Sequence, residues 1–248
     1  MHNFKNYFAI LFALIFNFGF NGLAFGQQGS QIINNGNSKP ANNFLLKRSD
    51  TVILLVDHQV GLLSGVRDIG TGELSNNVAA LAKAAKILGV PVIVTTVGPG
   101  DMWGPLIPEL AKEVSGINII KRTAVNAWDD PKVVQAIKAT GRKQILVAGI
   151  SLEVCAAFPA LSAKEQGFDT RVVLDASGTF NEAKRQSGIQ RLTVSGIPLT
   201  DYASASVELL GDNADPKAGE VYGAMNMSFA NIVWQLNNSA KASARAQK

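Results

Sequence analysis

Residues 144–155 read Gln144-Ile145-Leu146-Val147-Ala148-Gly149-Ile150-Ser151-Leu152-Glu153-Val154-Cys155, and this stretch decides the fold. Its first half is an aliphatic run of the kind found in strands covered on both faces. It then passes through a tight turn into a predicted helix over Leu152 to Gln166, with Gly167 as the stop. A strand, a turn and a helix in that order is where an α/β protein places a nucleophile. Cys155, the one cysteine of the chain, stands in the first turn of that helix.

Similar apolar runs lie at Val52 to Val56, Val90 to Val97, Ile117 to Lys121, Thr170 to Leu174 and, more weakly, Gly196 to Thr200. Helical spacing separates them: Leu74 to Leu88 before Gly89, Pro131 to Ala139 before Gly141, and Asn181 to Ser195 before Gly196. A last helix is predicted over Lys217 to Leu236. Repeated alternation of strand and helix implies an α/β fold, a parallel six-stranded sheet with helices on both faces in three layers, Rossmann-like in architecture. Ligands of such sheets bind beyond the carboxyl ends of the strands. The polar residues at those ends are Asp57 after the first strand, Lys121 at the end of the third, and Ser151 with Cys155 after the fourth.

The rest of the chain bounds where and on what such a site works. Lys5 followed by the apolar run Tyr7 to Phe20 and the small residues Ala24-Phe25-Gly26 predicts a signal peptide over 1–26, cleaved near Gln27. That implies export to the periplasm or beyond, with no stable membrane anchor. Residues 27–47 are Gln/Asn/Gly/Ser-rich and predict a flexible leader, 48–236 the folded domain, and 237–248 a disordered tail. Seven of the twelve phenylalanines fall in the signal segment, so whole-chain composition overstates the aromatic content of the domain. The net charge of +4 is spread thinly, with no Lys/Arg block, so nucleic acid is not an expected partner; a small molecule is. The turn after the first strand, Asp57-His58-Gln59-Val60-Gly61, lacks the Gly-x-Gly-x-x-Gly fingerprint, and no phosphate loop follows any strand.

A thiol attacks as thiolate, and a helix N-terminus favours negative charge only modestly, so Cys155 needs a proton acceptor. Asp57 would take the thiol proton and return it to a leaving amine, and Lys121 would hold that carboxylate. The chemistry is acyl transfer through a thioester followed by water. The alternative is a non-catalytic or redox-sensing protein that keeps the fold as a binding or assembly module, with Cys155 as packing, Asp57 as a cap and Lys121 as a solvated strand end.

The segments Leu54-Leu55-Val56-Asp57-His58-Gln59, Ile120-Lys121-Arg122-Thr123 and Gly149 through Cys155 resemble the isochorismatase-like cysteine hydrolases. Phe158-Pro159-Ala160-Leu161-Ser162-Ala163 and Asp175 through Glu182 are similar to the YcaC-like branch of that superfamily. The resemblance, over about Arg48 to Gln235, implies Cys155 as nucleophile, Asp57 as base and acid, and Lys121 as third member. It also implies a cis peptide between Ile150 and Ser151, with the Ser151 and Cys155 N–H groups as oxyanion hole, and assembly into dimers or larger rings. Leu152 departs from the threonine usual there, and Ala156 from the commoner valine. Nicotinamidases of the superfamily bind a metal through histidines, and His58 is the one histidine outside the signal segment, so neither a metal nor another cofactor is expected. Gln59, Asn126, Trp128 and Phe158 are candidate pocket residues, each with an equal claim to loop or core packing. Selectivity is expected in the loops Val97 to Pro108 and Val125 to Pro131.

Overall fold

A computed structural model describes residues 45–98 and 102–227, together with positions 232, 235, 236 and 239. The signal peptide, the leader up to residue 44 and, save position 239, the tail lie outside the described residues.

Six parallel strands carry the fold: β1 (Thr51–Val56), β2 (Val92–Val97), β3 (Ile119–Arg122), β4 (Gln144–Gly149), β5 (Asp169–Val173) and β6 (Leu199–Thr200). Their order is β3-β2-β1-β4-β5-β6. The chain winds outward one way from β1 to β3 and the other way from β4 to β6. The reversal therefore falls between β1 and β4, the position where open α/β sheets leave a crevice for ligands. These two strands pair along their whole length, Thr51 opposite Gln144 through Val56 opposite Gly149. Asp57 and Ile150 accordingly leave the sheet side by side.

Every residue of β1 and of β4 is buried, which is why both read as unbroken apolar runs with no alternation. Alternate side chains go to different cores. Ile53, Leu55, Leu146 and Ala148 meet α2 (Thr71–Leu88), α3 (Pro108–Glu113), α7 (Tyr202–Leu210) and α8 (Ala218–Met225). Val52, Leu54, Val56, Ile145 and Val147 meet α4 (Pro131–Ala139), α5 (Ala157–Glu165) and α6 (Glu182–Val194). A short α1 (Val60–Leu63) follows Asp57. The helices on both faces thus follow from strands that are apolar at both parities.

Local stops match their residues: Gly89 closes α2 at φ 69°, and the Asp130 side chain caps α4 by accepting from Lys132 N, with Pro131 in the first turn. Several expectations shift. The helix expected from Leu152 begins instead as a π-turn, Leu152–Ala156, before α5. Helix α7 was not expected, although Asp201 caps it through Ser204 N and Gly211 ends it. The helix expected over Lys217 to Leu236 is broken after Met225, where Asn226 takes the left-handed region at φ 49°; positions 232, 235, 236 and 239 are again helical. Strand β3 begins at Ile119 and ends one residue later than expected, on Arg122.

The π-turn rests directly on the end of β4. A Cβ on Gly149 would stand 3.0 Å from Ala156 N, Cys155 C and Val56 O, all backbone atoms. Gly149→Ala is therefore expected to destabilise the fold by about 1–3 kcal/mol, the usual range for overpacking. Urea unfolding measures this, and an unchanged midpoint would show that the turn does not rest on this glycine.

Candidate active site

Asp57 ends β1 with φ at 60°, in the left-handed region that costs an L-residue roughly 1–2 kcal/mol and that aspartate tolerates better than most. Its N–H still completes the sheet by donating to Thr95 O at 2.9 Å. The carboxylate is fully buried and forms an ion pair, through Oδ2, with Arg122 Nη2, itself fully buried. The Arg122 Nη1 group donates to the carbonyls of Ala124 and Val125. The guanidinium is thus fixed by the loop after β3 while it reaches across the end of β2.

This placement corrects the expectation for Lys121. Along β3 the side chains alternate exposed, buried, exposed, buried from Ile119 to Arg122. Lys121 faces outward and lines grooves at the edge of the sheet, so the cation that meets Asp57 is Arg122. Nothing in the residue types fixed that parity, because Ile117, Ile119 and Ile120 are apolar at both phases of the strand.

The thiol of Cys155 adjoins the Asp57 carboxylate, and each shifts the other. Burial raises the Asp57 pKa to about 6, against the opposing pull of Arg122 and of hydrogen bonds from Cys155 and Arg122. Desolvation wins over the cation here, which sets a carboxyl near neutrality as a proton acceptor. Burial also pushes the Cys155 thiol well above its ordinary value; the charge of Asp57 adds to this, while Arg122 and the Ser151 N–H oppose it. At rest the sulfur holds its proton. The modest favour that a helix N-terminus gives a thiolate does not prevail over burial.

The peptide between Ile150 and Ser151 is cis, as the resemblance implied. The two N–H groups expected as an oxyanion hole differ in their engagement. The Ser151 backbone acts on the Cys155 sulfur, lowering its pKa, whereas Cys155 N–H donates to Ser151 O at 2.8 Å. That same carbonyl also accepts from Val154 N at 3.3 Å and Ala156 N at 3.2 Å. The Cys155 N–H is therefore committed to the π-turn, a correction to the expected pair. Leu152, which stands where the resembled family usually has threonine, is wholly buried in the core that also holds Cys155.

The four weaker candidates make packing and bracing contacts. Gln59 spends its amide on two loops, Nε2 donating to Gly104 O at 2.8 Å and Oε1 accepting from Val97 N at 3.0 Å. Asn126 accepts from Trp128 N at 3.1 Å and donates to Asp129 Oδ1 and Ser162 Oγ. Trp128 is buried, edge-on to Phe168 at 5.5 Å. Phe158 is partly buried and lies under the Arg191 guanidinium, 5.0 Å from the ring centre. His58 is fully buried; its Nε2 donates to Ala176 O at 2.9 Å, and burial lowers its pKa to about 4, so the ring is neutral. Among the described residues no group of three or more His, Cys, Asp and Glu side chains could hold a metal ion.

An isochorismatase-domain family model matches residues 51–204. The probable hydrolase YcaC of Escherichia coli (strain K12) is 49% identical over 168 residues, covering 67% of this chain and 81% of the relative. The crystal structure of that gene product, described as an octameric hydrolase of unknown specificity, superposes with a TM-score of 0.74 at 42% identity, covering 81% of this chain and 99% of the other. YcaC from Pseudomonas aeruginosa, solved with hexane-2,5-diol and covalent acrylamide, gives a TM-score of 0.72 at 42% identity, covering 78% and 97%.

Removing one partner of a buried ion pair strands the other charge and costs about 3–5 kcal/mol. Arg122→Met is therefore expected to lower stability by that amount and to raise the Asp57 pKa beyond about 6, whereas Lys121→Met leaves both nearly unchanged. Thermal unfolding together with carboxyl titration by NMR distinguishes them, and equal effects of the two substitutions would overturn the assignment.

Proposed function

This chain belongs to the isochorismatase family of hydrolases, and we propose that it is a cysteine-dependent hydrolase of a small amide, carbamoyl or related carbonyl compound. The observation that carries the proposal is one buried carboxylate held between a thiol and a guanidinium at the reversal point of the sheet. Asp57 accepts the Cys155 proton as the sulfur bonds to the carbonyl carbon, and the carbonyl oxygen takes up negative charge. The Ser151 N–H, whose backbone already favours the charged sulfur, donates to that oxygen. Asp57 then returns the proton to the departing amine and the carbon–nitrogen bond breaks, leaving a thioester. Water attacks the thioester with Asp57 again as base; the acid departs and the thiol is restored. Arg122 orients Asp57 and limits how far burial raises its pKa.

Covalent acrylamide on the Pseudomonas aeruginosa relative supports the reading, since acrylamide is an electrophile that thiols add to. A redox-sensing role has less support, because sensor cysteines are accessible and of low pKa. Here burial raises the thiol and leaves it 9% exposed. Export and assembly belong to the same proposal: the N-terminal segment reads as a signal peptide, and the octameric Escherichia coli relative supports a homo-oligomer, a dimer or a larger ring. Protein recovered after expression with its own N-terminus is expected outside the cytoplasm, to begin near Gln27 and to run as an oligomer in light scattering. A cytoplasmic chain beginning at Met1 would overturn export, and a monomer would overturn assembly.

The base form of Asp57 is the carboxylate, so reactivity rises as pH passes upward through about 6 and then levels. An unassisted thiol would instead keep gaining roughly tenfold per pH unit towards its own pKa of about 8.5. Iodoacetamide alkylation of Cys155 is expected to plateau above pH 7, and Asp57→Asn to remove the plateau. Ammonia release from primary amides should fall about 10²–10⁴-fold in the same variant, the range for a lost general base. A wild-type profile that climbs without levelling would sink the mechanism.

A further inference from the structure

The catalytic reading leaves unused a buried segment that touches the nucleophile turn at successive points. Residues Asp175 to Thr179 follow β5, and Ala176, Ser177 and Thr179 are wholly inaccessible. Each of the last four makes one bond towards the site. Ala176 O accepts from His58 Nε2 at 2.9 Å, next in sequence to Asp57. Ser177 Oγ accepts from Gly149 N at 3.1 Å, and Gly178 O from Leu152 N at 3.1 Å. Thr179 Oγ1 donates to Glu153 Oε2 at 2.7 Å.

The segment is itself anchored. Asp175 O accepts from Asn77 Nδ2 at 3.0 Å, and Asp175 Oδ1 from Tyr202 N at 2.8 Å. Thr179 N donates to Asp68 Oδ1 at 2.6 Å, and Asp68 Oδ2 accepts from Arg185 at 2.8 Å. Gly178 lies flush against α2: a Cβ there would come within 2.6 Å of Leu74 Cδ2 and 2.9 Å of Val66. A brace fixed on one side and bonded on the other transmits position.

The π-turn has reason to need one. The N–H groups of Val154, Cys155 and Ala156 share one carbonyl, Ser151 O, in the wide geometry that is rarer and less self-supporting than an α-helix. Glu153, two residues before the nucleophile, is held from the strap by Thr179 and from α6 by Lys184 at 3.9 Å. Helix α6 also presses on it: a Cβ on Gly188 would lie 3.1 Å from Glu153 Cα and Cβ.

We infer that Thr179 and Glu153 are positioning residues of the hydrolase, holding the nucleophile turn so that the Cys155 sulfur meets Asp57 and the substrate carbon. This rests on the cysteine-hydrolase reading above and adds to it the part that sets the geometry. Neither residue touches the reacting atoms. Loss of the Thr179 hydroxyl frees Glu153 from the strap and lets the turn relax, and a misplacement of about 1 Å is enough to cost about 10²-fold in rate.

The test uses the full chain and iodoacetamide as probe, with Cys155 alkylation followed by mass spectrometry across pH. Thr179→Val is expected to lower the plateau rate tenfold or more while the midpoint near pH 6 stays in place, because Asp57 and Arg122 are untouched. Thr179→Ser, which keeps the hydroxyl, should restore the rate to within twofold. Gly188→Ala, pushing on Glu153 from the opposite side, should also slow alkylation without moving the midpoint. Wild-type rates in Thr179→Val, or equal losses in Thr179→Val and Thr179→Ser, would overturn the inference. Should Thr179→Val fold poorly, Gly188→Ala decides by the same criterion, a wild-type rate counting against. Failure of the underlying reading looks different: wild-type protein would show no plateau, or Asp57→Asn would leave it intact.

Discussion

A carboxylate and a guanidinium, each withdrawn fully from water, meet where β1 and β3 end, and the chemistry of the site depends on that pairing. Two charges in such a place are not there for stability, since desolvation consumes much of what their attraction returns. What the pair does is set a proton affinity. Burial alone would push Asp57 far towards the neutral acid, and Arg122 alone would hold it low; the sum leaves it at about 6. A carboxylate of that strength accepts a thiol proton at neutral pH and can give it back to an amine.

The same burial keeps Cys155 protonated until a substrate arrives. A resting thiolate would require a locally positive or exposed pocket, and here the nearest charge to the sulfur is negative. In the proposed mechanism Cys155 and Asp57 act as one proton-sharing unit, in which sulfur becomes nucleophilic only as Asp57 takes its proton. A protonated, enclosed sulfur is also a poor target for oxidants, which attack the thiolate.

Geometry at the switch point follows from packing. Gly149 lets the π-turn close onto the sheet, the Ser151 carbonyl gathers three N–H groups, and the segment Ala176–Thr179 bonds in order to His58, Gly149, Leu152 and Glu153. Polar residues near the strand ends also serve this frame. Gln59 joins two loops, Asn126 caps a short turn, and His58 ties the end of β1 to the strap.

The sequence by itself determined the α/β class, the six strands and the positions of Asp57 and Cys155. Apolar runs, helical spacing and terminal glycines are local signals, and a strand buried on both faces shows in composition. The proposal of export likewise rests on residues 1–26 alone. Which cation reaches Asp57 was decided only by the tertiary structure. Lys121 and Arg122 are neighbours on one strand, so they project to opposite faces, and a strand with isoleucines at both parities does not say which face is which. That phase is set by how β3 docks on β2, with Thr96 opposite Lys121 and Val97 opposite Arg122, and by the loop carbonyls of Ala124 and Val125 that hold the guanidinium. The state of the thiol was decided in the same way, because a pKa depends on burial and on charges that come from distant strands.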